Sequence, residues 1–224
     1  MAVRLFGDRL EVAERFAGLL AGAGVERGLI GPREVDRLWE RHLLNCALLI
    51  DAIPASARTL ADVGSGAGLP GLVVAIARED LEVTLIETMQ RRALWLEEAA
   101  AELGVEVEVV RSRAEELSDR TFDVVTARAV AALDKLATWT LPLVADGGHL
   151  LAMKGSSAAE EIEAAGATLS RRGGLDPHVV VVGEGEVALP TTVVTVRRAD
   201  RAPAEREQAG RSPRRGARRG RTSH

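Results

Sequence analysis

Residues 61–71 read Ala-Asp-Val-Gly-Ser-Gly-Ala-Gly-Leu-Pro-Gly, a glycine cluster between an apolar run and a helical pattern. The preceding run, 58–63, has the length and composition of a buried strand, and residues 69–78 predict a helix. Glycines let the backbone turn tightly and let a ligand approach without a Cβ in the way. This strand, loop and helix therefore predict a nucleotide-like ligand at the loop.

The same alternation of short apolar runs with helical stretches continues to residue 198, and it is typical of βαβ units. The predicted strands are 58–63, 82–86, 105–110, 122–126, 148–153, 178–182 and 192–197. The predicted helices are 69–78, 89–103, 130–142 and 156–171, with a turn or short helix near 113–117. The pattern predicts an α/β fold with a Rossmann-like, seven-stranded, mostly parallel sheet, as in class I methyltransferases and in other nucleotide-binding proteins.

Two further helices are predicted before the sheet. Apolar residues at helical spacing indicate an amphipathic helix over 8–22, and Gly31-Pro32 begins a second helix that ends before Pro54. We therefore expect three parts in the chain: an N-terminal helical extension (1–55), a cofactor-binding core (56–198) and a disordered arginine-rich tail (199–224).

The charge of the chain is uneven. The net charge is −4, yet residues 197–224 hold ten arginines against three acids. Such a tail attracts the phosphate backbone of a nucleic acid, or it only aids solubility. The sequence alone leaves both interpretations open.

Composition excludes several classes of function. The 224 residues, 46% of them hydrophobic, suffice for one buried domain. No apolar run reaches the length of a membrane span, and the N-terminus carries acids where a signal peptide would need an apolar stretch, so we expect a cytoplasmic protein with no membrane association. Cys46 is the single cysteine and no Cys/His cluster has metal-ligand spacing, so neither a disulfide nor a metal site is expected.

The glycine loop by itself fits two cofactors. Gly66 to Gly71 satisfy the GxGxxG pattern that binds the pyrophosphate of NAD. In favour of S-adenosylmethionine, Asp62 stands two residues before Gly64, where a carboxyl can orient the cationic amino-acid end of that cofactor, and the chain has no tyrosine for hydride transfer. An NAD-dependent oxidoreductase remains the alternative at this point.

Two later positions fit an adenosine group. Glu87 ends the second predicted strand, where a carboxylate accepts hydrogen bonds from both ribose hydroxyls of either cofactor. The segment Arg113 to Glu116 follows the third strand, at the place where a methyltransferase contacts adenine. An exposed acidic run would have the same local sequence.

Several segments together resemble the ribosomal RNA small-subunit methyltransferase G family, over residues 8–198. They are Trp39–Asn45, Asp62–Gly71, Arg113–Glu115, Ala127–Val130 with Leu133–Leu136, and Gly147–Gly155. The family usually has Asp-Ser where this chain has Glu87-Thr88, and Asp where it has Asn45. The first change keeps the carboxylate, while the second leaves the role of that helix face open.

The resemblance implies S-adenosylmethionine as cofactor and formation of 7-methylguanosine in 16S ribosomal RNA or the small ribosomal subunit. We expect the protein to act as a monomer. It implies that Gly64, Leu69, Ala114, Glu115 and Arg128 contact the cofactor and that Glu87-Thr88-Met89 holds its ribose. With the loop, the predicted cofactor residues are Asp62, Gly64, Gly66, Gly68, Leu69, Glu87, Met89, Ala114, Glu115 and Arg128.

The implied chemistry requires positioning more than proton transfer. Guanine N7 presents a lone pair and no proton, so attack on the sulfonium methyl needs no general base. Arg128 and Lys154, at the ends of the fourth and fifth predicted strands, are the positioning candidates. Arg41, His42 and Lys154 are the predicted RNA contacts. A methyltransferase of another RNA or of a small molecule, or an RNA-binding protein without catalysis, are the alternatives.

Overall fold

The computed structural model describes residues 1–117 and 119–200, and a single sheet forms its centre. The strands are β1 (Thr59–Val63), β2 (Glu82–Ile86), β3 (Glu108–Val110), β4 (Phe122–Arg128), β5 (Val144–Lys154), β6 (Gly174–Val182) and β7 (Thr191–Arg198). Their order across the sheet is β3-β2-β1-β4-β5-β7-β6. Strand β7 runs antiparallel to both β5 and β6, and the other neighbouring strands pair in parallel. The predicted α/β class and mostly parallel seven-stranded sheet are confirmed.

The α-helices lie on both faces of this sheet. They are α1 (Ala2–Phe6), α2 (Leu10–Leu19), α3 (Asn45–Ala47), α4 (Gly71–Ala77), α5 (Gln90–Leu103), α6 (Leu133–Thr140) and α7 (Ala158–Arg171). Helix α5 ends as its sequence predicts, because Gly104 takes the left-handed conformation that closes a helix C-terminus.

The predicted second helix is helical along its length but not a uniform α-helix. A 3₁₀ segment (Pro32–Arg37) leads into a π-helical turn (Leu38–Leu44), then α3, then a second 3₁₀ segment (Leu48–Ala52). Hydrophobic spacing does not distinguish these helix types, because each segment has only three to seven residues and is too short to show its own period. A π turn often marks a functional site, and this one carries Arg41 and His42.

Strand alternation divides the core into two layers. Leu60, Val124 and Leu151 pack with the N-terminal helices, α4 and α5, whereas Val125 and Leu150 pack with α6 and α7. The N-terminal extension therefore shares its hydrophobic core with one face of the sheet. It is a layer of the fold as well as an extension of it.

Three strands begin three or more residues away from their predicted start. Strand β3 begins at Glu108 and not at residue 105, because the chain leaves the glycine cap of α5 in extended form before it pairs with β2. Strands β5 and β6 each begin about four residues earlier than predicted, across glycines whose weak strand propensity hides them. Residues 201–224, most of the predicted disordered tail, lie outside the described residues. No helix in the described part of the chain has the length and apolar character to cross a membrane.

Candidate active site

The predicted site residues meet at one edge of the sheet. The carboxyl ends of parallel strands lie side by side, and the register pairs Val63 with Ile86 and Arg128 with Met153. The glycine loop after β1, Glu87 after β2 and Arg128 at the end of β4 are thus neighbours in space. Ligands bind at this edge in open α/β sheets.

The glycine loop has a backbone that other residues would strain. Gly64, Gly66 and Gly68 have φ angles of 75°, 56° and 97°, in the left-handed region. A Cβ on Gly64 would lie 2.8 Å from Cγ2 of Val130, which approaches from the loop after β4. Glycine at position 64 therefore keeps a narrow space open between two loops of the site.

Asp62 is fully buried beneath this loop. Its Oδ2 accepts a hydrogen bond from the backbone N–H of Gly71, the first residue of α4, at 2.9 Å. Its Oδ1 has no hydrogen-bond partner among the described residues. Burial raises the pKa of Asp62 to about 7, against the opposing effects of the Gly71 N–H and the charge of Arg128. A buried carboxyl oxygen without a partner fits a cationic ligand group, as the amino end of S-adenosylmethionine would provide.

Glu87 closes the loop from the second strand. One carboxylate oxygen accepts from the backbone N–H of Gly66 at 3.0 Å, and the other accepts from that of Met89 at 2.8 Å. The oxygen that accepts from Met89 also accepts from the hydroxyl of Thr88 at 3.3 Å. The oxygen that faces Gly66 keeps a further lone pair, which can accept from a ribose hydroxyl. Glu87 thereby joins the loop to the start of α5, where Met89 is the exposed N-cap residue.

A contact that the sequence analysis did not predict fixes the loop from the opposite side. Trp95 of α5 donates from its indole N–H to the backbone carbonyl of Ala67 at 3.1 Å, and its ring is buried. Leu69 packs partly buried against the same core. The loop is therefore held at both Gly66 and Ala67 before any ligand binds.

The predicted adenine contacts lie farther along the same edge. Ala114 is buried and Glu115 is exposed, both on the 3₁₀ segment Ala114–Leu117 that follows β3. No hydrogen bond of the described residues links Glu115 to the glycine loop. The sheet order alone brings this segment to the β2 side of the site.

Arg128 reaches from the end of β4 into the N-terminal extension. Its guanidinium donates to Sγ of Cys46 and, at 2.6 Å, to Nδ1 of His42. The other ring nitrogen of His42 lies 3.0 Å from Oε2 of Glu34. Burial raises the pKa of the Cys46 thiol, so this side chain stays uncharged, as expected for a packed residue.

Lys154 faces the opposite side of the sheet and is almost fully buried. Its ammonium donates to the carbonyl of Ala131 at 2.6 Å and to Glu161 of α7 at 2.7 Å. Burial works to raise the pKa of Glu161, but hydrogen bonds from Lys154 and from the backbone N–H of Leu133 hold that pKa below its usual value. Lys154 therefore supports residues 129–132, in which Ala129 has a strained φ of 54°.

A cavity of about 820 Å³ opens between these two groups. Its lining includes Asn45, Arg128, Val130, Lys154 and Thr191. The Asn45 amide donates to the hydroxyl of Thr191 at 2.6 Å, so this pair ties the N-terminal extension to the start of β7. A larger depression of about 1500 Å³ lies at the amino ends of the strands, near Glu82 and Glu108, on the edge opposite the glycine loop.

The structure separates the two predicted RNA contacts of the π-helical turn. Arg41 is about half exposed and pairs with Glu34 at 3.2 Å, so its guanidinium lies at the surface. His42 is largely but not fully buried, and both of its ring nitrogens have partners within the protein. Only Arg41 offers a free donor face at the surface.

Comparison with known proteins gives a consistent result. A family model described as rRNA small subunit methyltransferase G matches residues 9–189. A protein named ribosomal RNA small subunit methyltransferase G from a Nocardioides species is 59% identical to this chain over 203 residues. The match covers 89% of this chain and 81% of the relative. One from Salinispora arenicola is 54% identical over 225 residues, covering 96% of this chain and 92% of the relative.

Solved structures give the fold. A ribosomal protein L11 methylase from Lactobacillus delbrueckii superposes with a TM-score of 0.53 at 18% identity, covering 69% of this chain and 77% of that one. The S-adenosylmethionine-dependent methyltransferase SibL superposes with a TM-score of 0.58 at 18% identity, covering 74% of this chain and 57% of that one. At these identities the likeness is one of architecture.

Proposed function

Because the chain belongs to the rRNA small subunit methyltransferase G family, we propose that it transfers a methyl group from S-adenosylmethionine to N7 of a guanine in 16S ribosomal RNA. One observation carries the cofactor assignment: a loop of three left-handed glycines is closed by the Glu87 carboxylate above the buried Asp62. Family membership carries the substrate. Neither the loop geometry nor the family membership supports an NAD-dependent oxidoreductase.

Charge complementarity orients the amino-acid end of the cofactor. Its amino-acid end carries an ammonium and a carboxylate, and Asp62 and Arg128 supply one opposite charge for each. The two side chains are close enough for the charge of Arg128 to act on the Asp62 carboxyl. Glu87 would accept from the ribose, with Met89 beside it, and Ala114 and Glu115 would border the adenine.

Arg128 is better suited to the cofactor than to the target base. Methylation at N7 puts a positive charge on the purine, so a guanidinium against that edge would oppose the reaction. The same charge favours binding of the cofactor carboxylate, for which a guanidinium fork is well shaped. We therefore assign Arg128 to the cofactor and the adjoining cavity of about 820 Å³ to the guanine.

The residues contribute by orientation. S-adenosylmethionine supplies an electrophilic methyl group, and N7 supplies its own lone pair, so no side chain has to move a proton. Lys154 holds residues 129–132 at the cavity wall, and Val130 lies over Gly64 at the junction with the cofactor loop. Restricting both partners at this junction is a large part of what catalysis of such a displacement requires.

Partners and location follow from the substrate. Small ribosomal subunits are in the cytoplasm, which we propose as the site of action. One chain contributes every residue of the proposed cleft, so a monomer suffices. Arg41 is the proposed contact with RNA phosphate from the N-terminal extension.

The test is methyl transfer from labelled S-adenosylmethionine to small ribosomal subunits that lack native N7 guanine methylation, with strand cleavage at the modified base. We expect one labelled guanine. The variant Arg41→Gln should raise KM for the subunit much more than it changes cofactor affinity. Cofactor binding without transfer to any ribosomal RNA would refute the proposed substrate and keep the cofactor assignment.

A further inference from the structure

His42 occupies an unusual position for a helical histidine. It lies on the π-helical turn Leu38–Leu44, and only 12% of its side chain is exposed. Nδ1 is 2.6 Å from Nη2 of Arg128, and Nε2 is 3.0 Å from Oε2 of Glu34. The ring thus connects an acid of the extension to an arginine of the sheet.

The identity of the two partners fixes the protonation of the ring. A guanidinium has only N–H donors, so Nδ1 of His42 must accept with its lone pair. The ring proton is then on Nε2, from which it is donated to Glu34. An imidazolium would set an N–H of its own against the N–H of Arg128, so the contact requires neutral His42.

The electrostatic surroundings favour that neutral form. Burial lowers the pKa of His42, and the charges of Arg128 and Arg41 act in the same direction. The hydrogen bond and charge of Glu34 oppose them without reversing the shift. His42 is therefore neutral at neutral pH and gains its proton only on acidification.

Arg128 needs this acceptor to be held in place. Its side chain is long, and its other contact in this network is the sulfur of Cys46, a weak acceptor. The imidazole nitrogen is the stronger and more directional partner. A guanidinium fixed on one side presents its remaining N–H groups in a defined direction, whereas a free one would have to be ordered when a ligand binds.

We propose that His42 is a positioning residue for cofactor binding: in its neutral form it orients Arg128 toward the carboxylate of S-adenosylmethionine, and its protonation weakens that binding. The inference rests on the proposed function, in which Arg128 receives this carboxylate. It adds an acid-sensitive control of cofactor affinity from a residue that does not touch the cofactor.

The other charged groups near this contact must be separated from His42 in any test. Glu34 and Arg41 face the ring from the extension, and Arg128 faces it from β4. Asp62 interacts with the charge of Arg128 and titrates near pH 7 itself. Acidification therefore acts on cofactor binding through both Asp62 and His42, and only the second effect disappears when position 42 cannot titrate.

The experiment measures the Kd of S-adenosylmethionine by calorimetry between pH 5 and pH 8, with no RNA present. His42→Asn keeps an acceptor near the place of Nδ1 and removes the titration. His42→Leu removes the acceptor and keeps apolar bulk. His178→Asn, at an exposed position of β6, is the matched control.

At pH 7.5 we expect His42→Leu to raise Kd by about tenfold, the effect of losing one hydrogen bond to a charged group, and His42→Asn to stay within about threefold of wild type. Below pH 7 the Kd of the wild type should rise more steeply than that of His42→Asn. Circular dichroism and melting temperatures identify any variant that has not folded.

Nitrogen chemical shifts of the His42 ring in the folded wild type give a second, independent readout. We expect the proton on Nε2 at pH 7.5. A proton on Nδ1, or a rapid mixture of both tautomers, overturns the proposal, as does an unchanged Kd in His42→Leu. If the wild type itself fails to bind the cofactor, the proposed function fails too, whereas equal binding by all variants refutes only the role of His42.

Discussion

Replacing Asp62 with asparagine separates what the buried carboxyl does for ligand binding from what it does to stability. Burial raises the pKa of Asp62 to about 7 in the folded protein, while an unfolded chain has a value near 3.9. Because the folded pKa is the higher one, the stability that this group contributes is fully present below about pH 4 and is lost as the pH rises through 7. The wild type at neutral pH therefore carries a destabilising group.

The size of the effect follows from the pKa difference. Stability is lost at about 1.4 kcal/mol per pH unit in this interval, which gives roughly 1.5 kcal/mol by pH 5 and roughly 4 kcal/mol by pH 8. The asparagine amide keeps an oxygen for the N–H of Gly71 and does not titrate in this range. We expect Asp62→Asn to stabilise the cofactor-free protein, and its advantage over the wild type to grow by about 2 to 3 kcal/mol between pH 5 and pH 8.

The assay is urea unfolding, followed by tryptophan fluorescence at both pH values, with Asp36→Asn as the exposed control. Calorimetry on the same samples should show weaker binding of S-adenosylmethionine by Asp62→Asn, because the ammonium loses its counter-charge. A stability difference that is the same at pH 5 and pH 8 would refute the raised pKa. A loss of stability at pH 8 would show that Gly71 and Arg128 already compensate the buried charge.

Three further predictions concern the loop and the tail. Gly64→Asp should abolish cofactor binding in calorimetry, because a side chain at this left-handed position meets Val130. The variant should keep the circular dichroism spectrum of a folded protein, because Val130 is partly exposed and can move. Retained affinity would contradict the assignment of the loop. Trp95→Phe should weaken cofactor binding several-fold, about the value of one neutral hydrogen bond, because it frees the carbonyl of Ala67, whereas Trp139→Phe should leave the affinity unchanged. Removal of residues 201–224 should weaken binding of ribosomal RNA and flatten its dependence on salt concentration, and an unchanged slope in filter binding would mean that the tail does not contact phosphates.

Local sequence predicted the parts of the site that are themselves local. The glycine loop, Asp62 and Glu87 lie at strand ends, and buried parallel strands are apolar runs that are easy to recognise. The family resemblance added Arg128 to the cofactor residues. Trp95 lies within the predicted helix 89–103, but helical spacing cannot show that its indole N–H binds the loop.

The missing part of the site depends on long-range contacts. His42 and Arg128 are far apart in the chain and meet only because the extension packs on the sheet face to which even-numbered β4 residues point. Glu34 and His42 are eight residues apart, which is more than two turns of a regular α-helix. They are in contact because 3₁₀ and π turns lie between them. For Lys154, the predicted strand 148–153 and helix 156–171 imply the turn between them, but the sequence does not show which acid of that helix its ammonium contacts.

The shared core of the N-terminal helices and the sheet has a consequence for how this protein is made. A ribosome synthesises the first 55 residues before Leu72, Val124 and Leu151, the side chains that later cover their apolar faces. Those faces are fully covered only after β7 has emerged, because Val182 and Val193 belong to the same core. The nascent chain should accordingly depend on chaperones over most of its synthesis, and folding of the newborn enzyme should be completed late and in one step.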